Sequence, residues 1–293
     1  MNALLWKLHT LNIPCVIIQG RMFPNKTTAI RYIKDNILYK SYNAQFKYPI
    51  YVQNKNTSEV LILKNDIGWG CMYRCAQMLL STALYHVTRN KKIFEEFVDT
   101  PEHVYSIHSL LKSGEEFGAQ PGKWCGSFVI SHTIRKVLEN TDIGVYVAPC
   151  HVLNRTELLT RESKGSILIL VTTKAGKDKV FETYYESIQT LIRYPKCIGC
   201  LGGKGRSAYF IIGGFGKSSL VYLDPHHIRF SQSIQKHDIY PSIMKVGSLS
   251  PTLTFAFMCE SVDEIEQLCD FIDLVPKCPV FTETVVHGTM ETI

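Results

Sequence analysis

The chain has 293 residues, 45% hydrophobic and 20% charged. That composition suits one large globular domain or two small ones and excludes disordered, collagen-like and coiled-coil chains. Thirty-two basic against 26 acidic side chains give a net charge of +6 without a dense basic run, so no nucleic-acid footprint is indicated.

The ten irregularly spaced cysteines are too sparse for a disulfide scaffold and read as reduced thiols of a cytoplasmic protein. Residues 1–20 are apolar but interrupted by Lys7 and His9, and no small-residue cleavage site follows, unlike a secretory signal. No apolar run approaches the roughly 18 residues that a membrane helix needs. The Asn-x-Ser/Thr matches at Asn25, Asn56 and Asn154 read as chance in such a chain.

In chain order, the spacing of Ile30, Ile33, Ile37 and Leu38 predicts a helix within 27–42. Short strands are expected at 48–52 and 60–63. Met72, Cys75, Ala76, Leu79 and Ala83 form one apolar stripe of a helix starting near Cys71, after Asp66 and the turn glycines Gly68 and Gly70. Residues 90–165 read as mostly helical, notably 104–111 and 128–138. The apolar run 166–173 suits a buried strand, 181–194 a helix, and 208–213, 220–223 and 253–257 further strands. Ser261 and Glu264 make a capping-box pattern before a helix with Val262, Ile265, Leu268, Cys269 and Ile272 on one face. A last strand is expected at 280–286. Partly segregated helices and strands point to α+β.

The stretch 66–75, Asp-Ile-Gly-Trp-Gly-Cys-Met-Tyr-Arg-Cys, holds the first chemical signal. A cysteine on the first helical turn faces the positive end of the backbone dipole, which favours thiolate over thiol. Thiolate is the nucleophile, so Cys71 is the candidate, and the flanking glycines allow a substrate backbone to come close. The alternative, a buried structural thiol, fits Cys75 well.

The second signal is Asp224-Pro-His226-His227. Pro225 biases Asp224 towards extended backbone, which would set Asp224 and His226 on one side so that the carboxylate orients the imidazole. The alternative is a plain turn with exposed side chains, and His227 is the weaker candidate. Cys197-Ile-Gly-Cys200 lacks a second pair at zinc spacing. Gly216-Lys-Ser218 and Gly202-Gly-Lys204 both miss the phosphate-loop spacing. No metal or cofactor is expected.

Taken together, these stretches resemble the autophagins, cysteine peptidases that process the ubiquitin-fold modifier of autophagy. The resemblance rests on Gly68-Trp69-Gly70-Cys71-Met-x-Arg74-Cys75-x-Gln77-Met78 and Tyr222-Leu-Asp224-Pro-His226. Tyr105-Ser-Ile-His108, Gly122-Lys-Trp124-x-Gly126 and Gly202-Gly-Lys204-x-x-Ser207-Ala208 support it, as do Leu249-Ser-Pro251 and 257–259. It covers about residues 30–285. It implies a papain-like fold with a small, mainly helical insertion: 1–90 and 165–293 as catalytic domain, 91–164 as insertion.

Carried over by residue, the resemblance makes Cys71 the nucleophile, His226 the general acid and base, and Asp224 its orienter. Tyr42 would help the Cys71 N–H hold the oxyanion, with Tyr39 and Tyr48 as the other candidates. Trp124 resembles the tryptophan of a loop that covers the site, and Gly68, Trp69, Gly70 and Gly205 would line the path of a glycine tail. The implied partner is the modifier, as free precursor or lipid conjugate, with membrane contact only through the lipidated substrate. A long C-terminal tail with docking motifs is not expected.

The sequence departs from the family where Gly205-Arg206 replaces Pro-Asn, where Tyr209 replaces His, and where Ser127-Phe128 replaces Pro-Asn after Gly126. Glycine in place of proline is expected to loosen the first loop. The rival readings are a peptidase of the other ubiquitin-fold-modifier type, which shares Gly-Trp-Gly-Cys and Asp-Pro-His, and an inactive modifier-binding protein.

Overall fold

A computed structural model describes residues 16–53, 59–161, 165–230 and 241–284. A short hairpin, β1 (Val16–Ile18) and β2 (Arg21–Phe23), leads into helix α1 (Lys26–Asn36) and the two-residue strand β3 (Tyr42–Asn43). The hairpin β4 (Ile50–Gln53) and β5 (Val60–Leu63) precedes the long helix α2 (Cys71–Thr88). Helices α3 (Ile107–Gly114) and α4 (Ser127–Val137) follow, then β6 (Ile143–Val147), β7 (Val152–Asn154), α5 (Arg155–Thr160) and β8 (Ser166–Lys174). The second half runs through α6 (Tyr185–Arg193), β9 (Cys197–Lys204), β10 (Ser207–Phe215), β11 (Ser219–Leu223) and β12 (Ile228–Arg229). It ends with β13 (Ser242–Lys245), β14 (Thr252–Cys259), α7 (Val262–Leu274) and β15 (Phe281–Glu283).

Among the described residues the main sheet has the order β13-β11-β10-β9-β14-β8-β6, with β1 and β2 attached alongside β10. Strand β14 runs antiparallel to both β8 and β9, while β6 and β8 are parallel. The run read as a buried strand is β8, and it feeds two cores in strict alternation. Leu168 and Leu170 join α2, α3 and α4 on one face. Ile167, Ile169 and Val171 join α6 and α7 on the other. A strand covered on both faces has no polar side, which is why its sequence is continuous rather than alternating.

Several local details correct the sequence reading. The segment read as mostly helical contains β6, a strand of the main sheet, and the short strand β7. Helix α1 stops at Asn36, and Ile37 is already extended with φ −120°. The chain from there to Tyr42 is drawn across to the Asp-Pro-His loop, where the Tyr42 N–H donates to Pro225 O at 2.9 Å. Strand β9 escapes propensity arguments because of Gly199, Gly202 and Gly203. Gly199 sits at φ +154°, and a Cβ there would lie 2.4 Å from the Phe210 ring. The glycines are needed for close packing, so the stretch has the composition of a loop and the structure of a strand.

Two of the three Asn-x-Ser/Thr matches have a structural cause. Asn25 and Asn154 are the N-caps of α1 and α5, and their Oδ1 atoms accept from the N–H of Thr28 and Glu157, both at 2.9 Å. Asn56, residues 1–15 and 285–286 lie outside the described residues. The expected cap of α7 is present, with Ser261 Oγ accepting from the Glu264 N–H at 3.3 Å. Glu264 in return accepts from Glu260 N–H at 2.8 Å.

Phe257 on β14 is fully buried between Phe255 and Tyr194. Phe257→Ala is expected to cost about 3–5 kcal/mol, read as a lower urea midpoint with an unchanged slope.

Candidate active site

Cys71 is the first residue of α2, behind the N-cap Gly70. The turn before it is built by Asp66, whose carbonyl accepts from Gly70 N–H at 2.9 Å and Trp69 N–H at 3.3 Å. Gly68 adopts φ +84°, a conformation that disfavours other residues, with open space around its Cα. Gly70 is required for space instead: a Cβ there would lie 2.5 Å from the Asp66 side chain. Trp69 is buried, donates from Nε1 to Asn65 O at 3.1 Å and packs edge-on against Tyr73. Its ring supports the turn from below.

A buried ion network holds this turn, and sequence reasoning missed it. Arg74 is fully buried, one turn along α2 from Gly70. Its Nε donates to Asp66 Oδ2 at 2.7 Å, and its Nη1 reaches Asp99 Oδ2 at 2.6 Å and Gln77 Oε1 at 2.9 Å. Asp66 spends its other oxygen on the Asn43 N–H at 2.7 Å, tying the nucleophile's turn to β3. Gln77 Nε2 donates to Tyr105 O at 2.8 Å, and Lys40 Nζ to Phe97 O at 2.7 Å, 3.8 Å from Asp99. Burial pushes the Asp99 carboxyl up, but Arg74 and Lys40 beside it hold it at about 2. The available signal was an arginine next to an apolar helical stripe, since a buried guanidinium requires carboxylate partners.

His226 arrives on the loop after β11. The structure forms a turn at Pro225–His226 rather than the extended chain expected. Asp224 Oδ1 accepts from both the His226 backbone N–H at 2.9 Å and the His226 Nδ1 at 2.6 Å. The carboxylate thus shapes the turn as an Asx motif and orients the ring with the same oxygen. The loop is registered against Tyr42 by a parallel bridge, with Ile228 opposite Tyr42 and Arg229 opposite Asn43. The Tyr42 ring meets the imidazole edge-on at 5.3 Å.

The structure therefore brings Cys71, His226, Asp224 and Tyr42 together. Burial pushes the Cys71 thiol up, yet hydrogen bonds from His226, the Ala208 N–H and Tyr42, together with the His226 charge, leave it below its ordinary value. Burial disfavours the His226 cation, but its hydrogen bonds to Asp224 and Cys71 and their charges raise it to about 9. Burial, then the Cys71 charge, holds the Tyr42 phenol above its ordinary range, so it stays a donor. Both displacements favour a thiolate–imidazolium pair. The Cys71 residue is only 1% exposed. Tyr39 donates to the Asp224 carbonyl instead of facing the sulfur, and Tyr48 offers its carbonyl to His108 Nε2 at 2.7 Å.

The remaining site residues lie on loops. Trp124 is 53% exposed and its ring lies over Gly126. Its neighbour Cys125 sits against Tyr73, two residues along α2 from Cys71. Gly205 takes φ +61° in the two-residue turn joining β9 and β10, which a β-hairpin favours in glycine. Ala208, three residues on, meets the sulfur. Cys197 and Cys200 are buried in β9, their thiols pushed up by burial, Cys197 to about 12. Gly216-Lys-Ser218 forms the tight turn between β10 and β11, with Gly216 at φ +56°.

A family model described as the Peptidase C54 catalytic domain matches residues 31–271. The chain belongs to the Peptidase C54 family. Its α+β architecture is accordingly papain-like, as the resemblance implied. Similar proteins include cysteine protease ATG4C of Xenopus laevis, 29% identical over 222 residues, covering 68% of this chain and 49% of the relative. Another is cysteine protease atg4da of Danio rerio, 29% identical over 215 residues, covering 66% and 44%. Cysteine protease ATG4B of Xenopus laevis is 26% identical over 261 residues, covering 71% and 68%. This chain spans about half the length of the first two of these relatives.

Arg74→Met is expected to cost about 3–5 kcal/mol in urea unfolding, because it strands two buried carboxylates. Alkylation of Cys71 by iodoacetamide, followed by peptide mapping, should continue to lower pH than alkylation of a free cysteine. In His226→Ala the rise of that rate with pH should move to higher pH, since the cation that stabilises the thiolate is gone.

Proposed function

We propose that the chain is a cytoplasmic thiol peptidase that cuts after the C-terminal glycine of an autophagy-type, GABARAP-like ubiquitin-fold modifier. It primes the modifier for lipid conjugation and releases it from phosphatidylethanolamine. The observation that carries the reading is the pairing of Cys71, at the N-terminus of α2, with a His226 oriented by Asp224 at 2.6 Å. The relatives, all named cysteine proteases, support the reaction class. No helix among the described residues is long and apolar enough to cross a membrane, which is consistent with a substrate brought to the site by its own lipid.

In this mechanism the Cys71 thiolate attacks the glycyl carbonyl carbon and a C–S bond forms. The oxyanion that develops takes hydrogen bonds from the Tyr42 hydroxyl and the Cys71 N–H. His226 passes its proton to the departing amine, either the next residue or the lipid headgroup, as the C–N bond breaks. A water molecule then gives a proton to His226 and attacks the thioester. The C–S bond breaks, and the modifier leaves with a free glycine carboxylate. Asp224 keeps the imidazole in one tautomer throughout.

Trp124 and the glycines Gly68, Gly70 and Gly205 suit a narrow approach that admits a tail without side chains, with Trp69 bracing the turn beneath. We take 91–164 as the insertion, its helices packed against α2, and 1–90 with 165–293 as the catalytic part.

The test is intact-mass spectrometry of a GABARAP-like precursor carrying a short extension, incubated under reducing conditions. Wild type should remove the extension just after the glycine, and Cys71→Ala should leave the mass unchanged. Tyr42→Phe should lower kcat by about 10²–10³ with little change in KM. An uncut precursor that still binds wild type would overturn the peptidase reading.

A further inference from the structure

The imidazole of His226 has a second aromatic neighbour besides Tyr42. The Tyr209 ring meets it at 5.4 Å with an interplanar angle of 63°, against 5.3 Å and 86° for Tyr42. The two tyrosines come from unrelated places in the chain, Tyr42 from β3 and Tyr209 from β10. Tyr209 is itself braced by Tyr222 of β11, ring to ring at 4.8 Å and 64°. Its hydroxyl is taken up by Ser207.

Strand β10 thus meets the reacting pair twice in succession. The Ala208 N–H donates to the Cys71 sulfur, and the next residue places its ring on the partner of that sulfur. Ala208 and Phe210 point into the core, at 1% and 0% exposure. Alternation along the strand sends the Tyr209 side chain to the opposite face of the sheet, beside Tyr222, and from there its ring reaches His226.

An imidazole held by Asp224 at one nitrogen retains one freedom, rotation about the bond to that hydrogen-bonded edge. Asp224 fixes the Nδ1 end of the ring at 2.6 Å and cannot by itself fix the tilt that aims Nε2 at the sulfur. A ring packed against the imidazole restricts that tilt, and it does so without supplying a charge. We propose that Tyr209 is a positioning residue for His226, its ring and not its hydroxyl holding the imidazole in line with Cys71. This rests on the thiolate–imidazolium reading of the site.

The groups that face His226 are few and separable. Asp224 comes from its own loop, Cys71 from α2, Tyr42 from β3 and Tyr209 from β10, with His227 adjacent and acting on Asp224. Tyr209 adds no formal charge at neutral pH, so its removal acts through orientation. A mis-tilted imidazolium stabilises the thiolate less well, and thiolate formation then requires higher pH.

The experiment compares wild type with Tyr209→Phe, Tyr209→Leu and Tyr209→Ala by two readouts. The first is the pH profile of Cys71 alkylation by iodoacetamide, which needs no substrate. The second is kcat and KM for the extended modifier precursor. Tyr209→Phe should match wild type in both. Tyr209→Leu and Tyr209→Ala should shift the alkylation profile to higher pH and lower kcat by roughly 10- to 100-fold, with KM little changed. The leucine variant retains apolar bulk, and urea midpoints identify any variant that has lost the fold.

A wild-type profile in Tyr209→Leu would overturn the proposal. So would a Tyr209→Phe protein as impaired as Tyr209→Leu, because the hydroxyl would then be the acting group. If the profiles shift as stated but wild type leaves every precursor uncut, the substrate reading fails and the positioning role stands. If precursor is cut equally by all four proteins, the peptidase reading stands and the positioning role fails.

Discussion

The guanidinium of Arg74 is the interaction on which the rest of the site depends. It sits in the first turns of α2 with no exposure to water, bridging Asp66 at 2.7 Å and Asp99 at 2.6 Å. A buried ion pair contributes little net stability, because desolvation offsets most of the attraction. What it supplies here is position. Asp66 in turn accepts from Asn43 and, through its carbonyl, from Gly70. One cation therefore sets the Gly-Trp-Gly turn, the start of the helix carrying Cys71, and the strand carrying Tyr42 in a single frame. Lys40 and Gln77 extend that frame to Phe97 and Tyr105.

The second frame is the Asp-Pro-His loop, and it meets the first through backbone. Tyr42 N–H to Pro225 O and the parallel bridge from Tyr42 to Ile228 set the distance between the two. Cys71, His226 and Tyr42 reach one point from α2, the loop after β11, and β3. None of these contacts involves the reacting atoms. The displaced titrations of Cys71 and His226 follow from this arrangement, since each charge is favoured by the other at close range while burial disfavours both.

Packing explains why a thiolate is tolerated in so enclosed a place. Cys75, one turn further along the same helix, is fully buried, and burial pushes its thiol well up. Cys71 experiences the same desolvation but has His226, the Ala208 N–H and Tyr42 around the sulfur. The titrations of two cysteines four residues apart are thus displaced in opposite directions. The difference lies in their neighbours and not in the helix they share.

Much of this was legible in the residues. The helix from Cys71, the buried strand β8 and the Ser261 cap follow from local periodicity and capping chemistry, because near neighbours in sequence produce them. Cys71, Asp224 and His226 stood out for the same reason, each within a few residues of its motif partner. The route by which Asp224 meets His226 was not legible, since an extended and a turned backbone both bring i and i+2 close. Strand β9 was hidden by glycines whose need arises only when Phe210 packs against Gly199, Ile211 and Leu253 against Gly202, and Ser207 against Gly203. By itself the sequence determined the helix and strand periodicities and the residue types able to do thiol chemistry. Only the tertiary structure decided which buried charges pair, which tyrosine faces the sulfur and which ring braces the imidazole. Those contacts join residues from 8 positions apart, Asp66 and Arg74, to 59 apart, Lys40 and Asp99, and such packing leaves no periodic trace in a single chain.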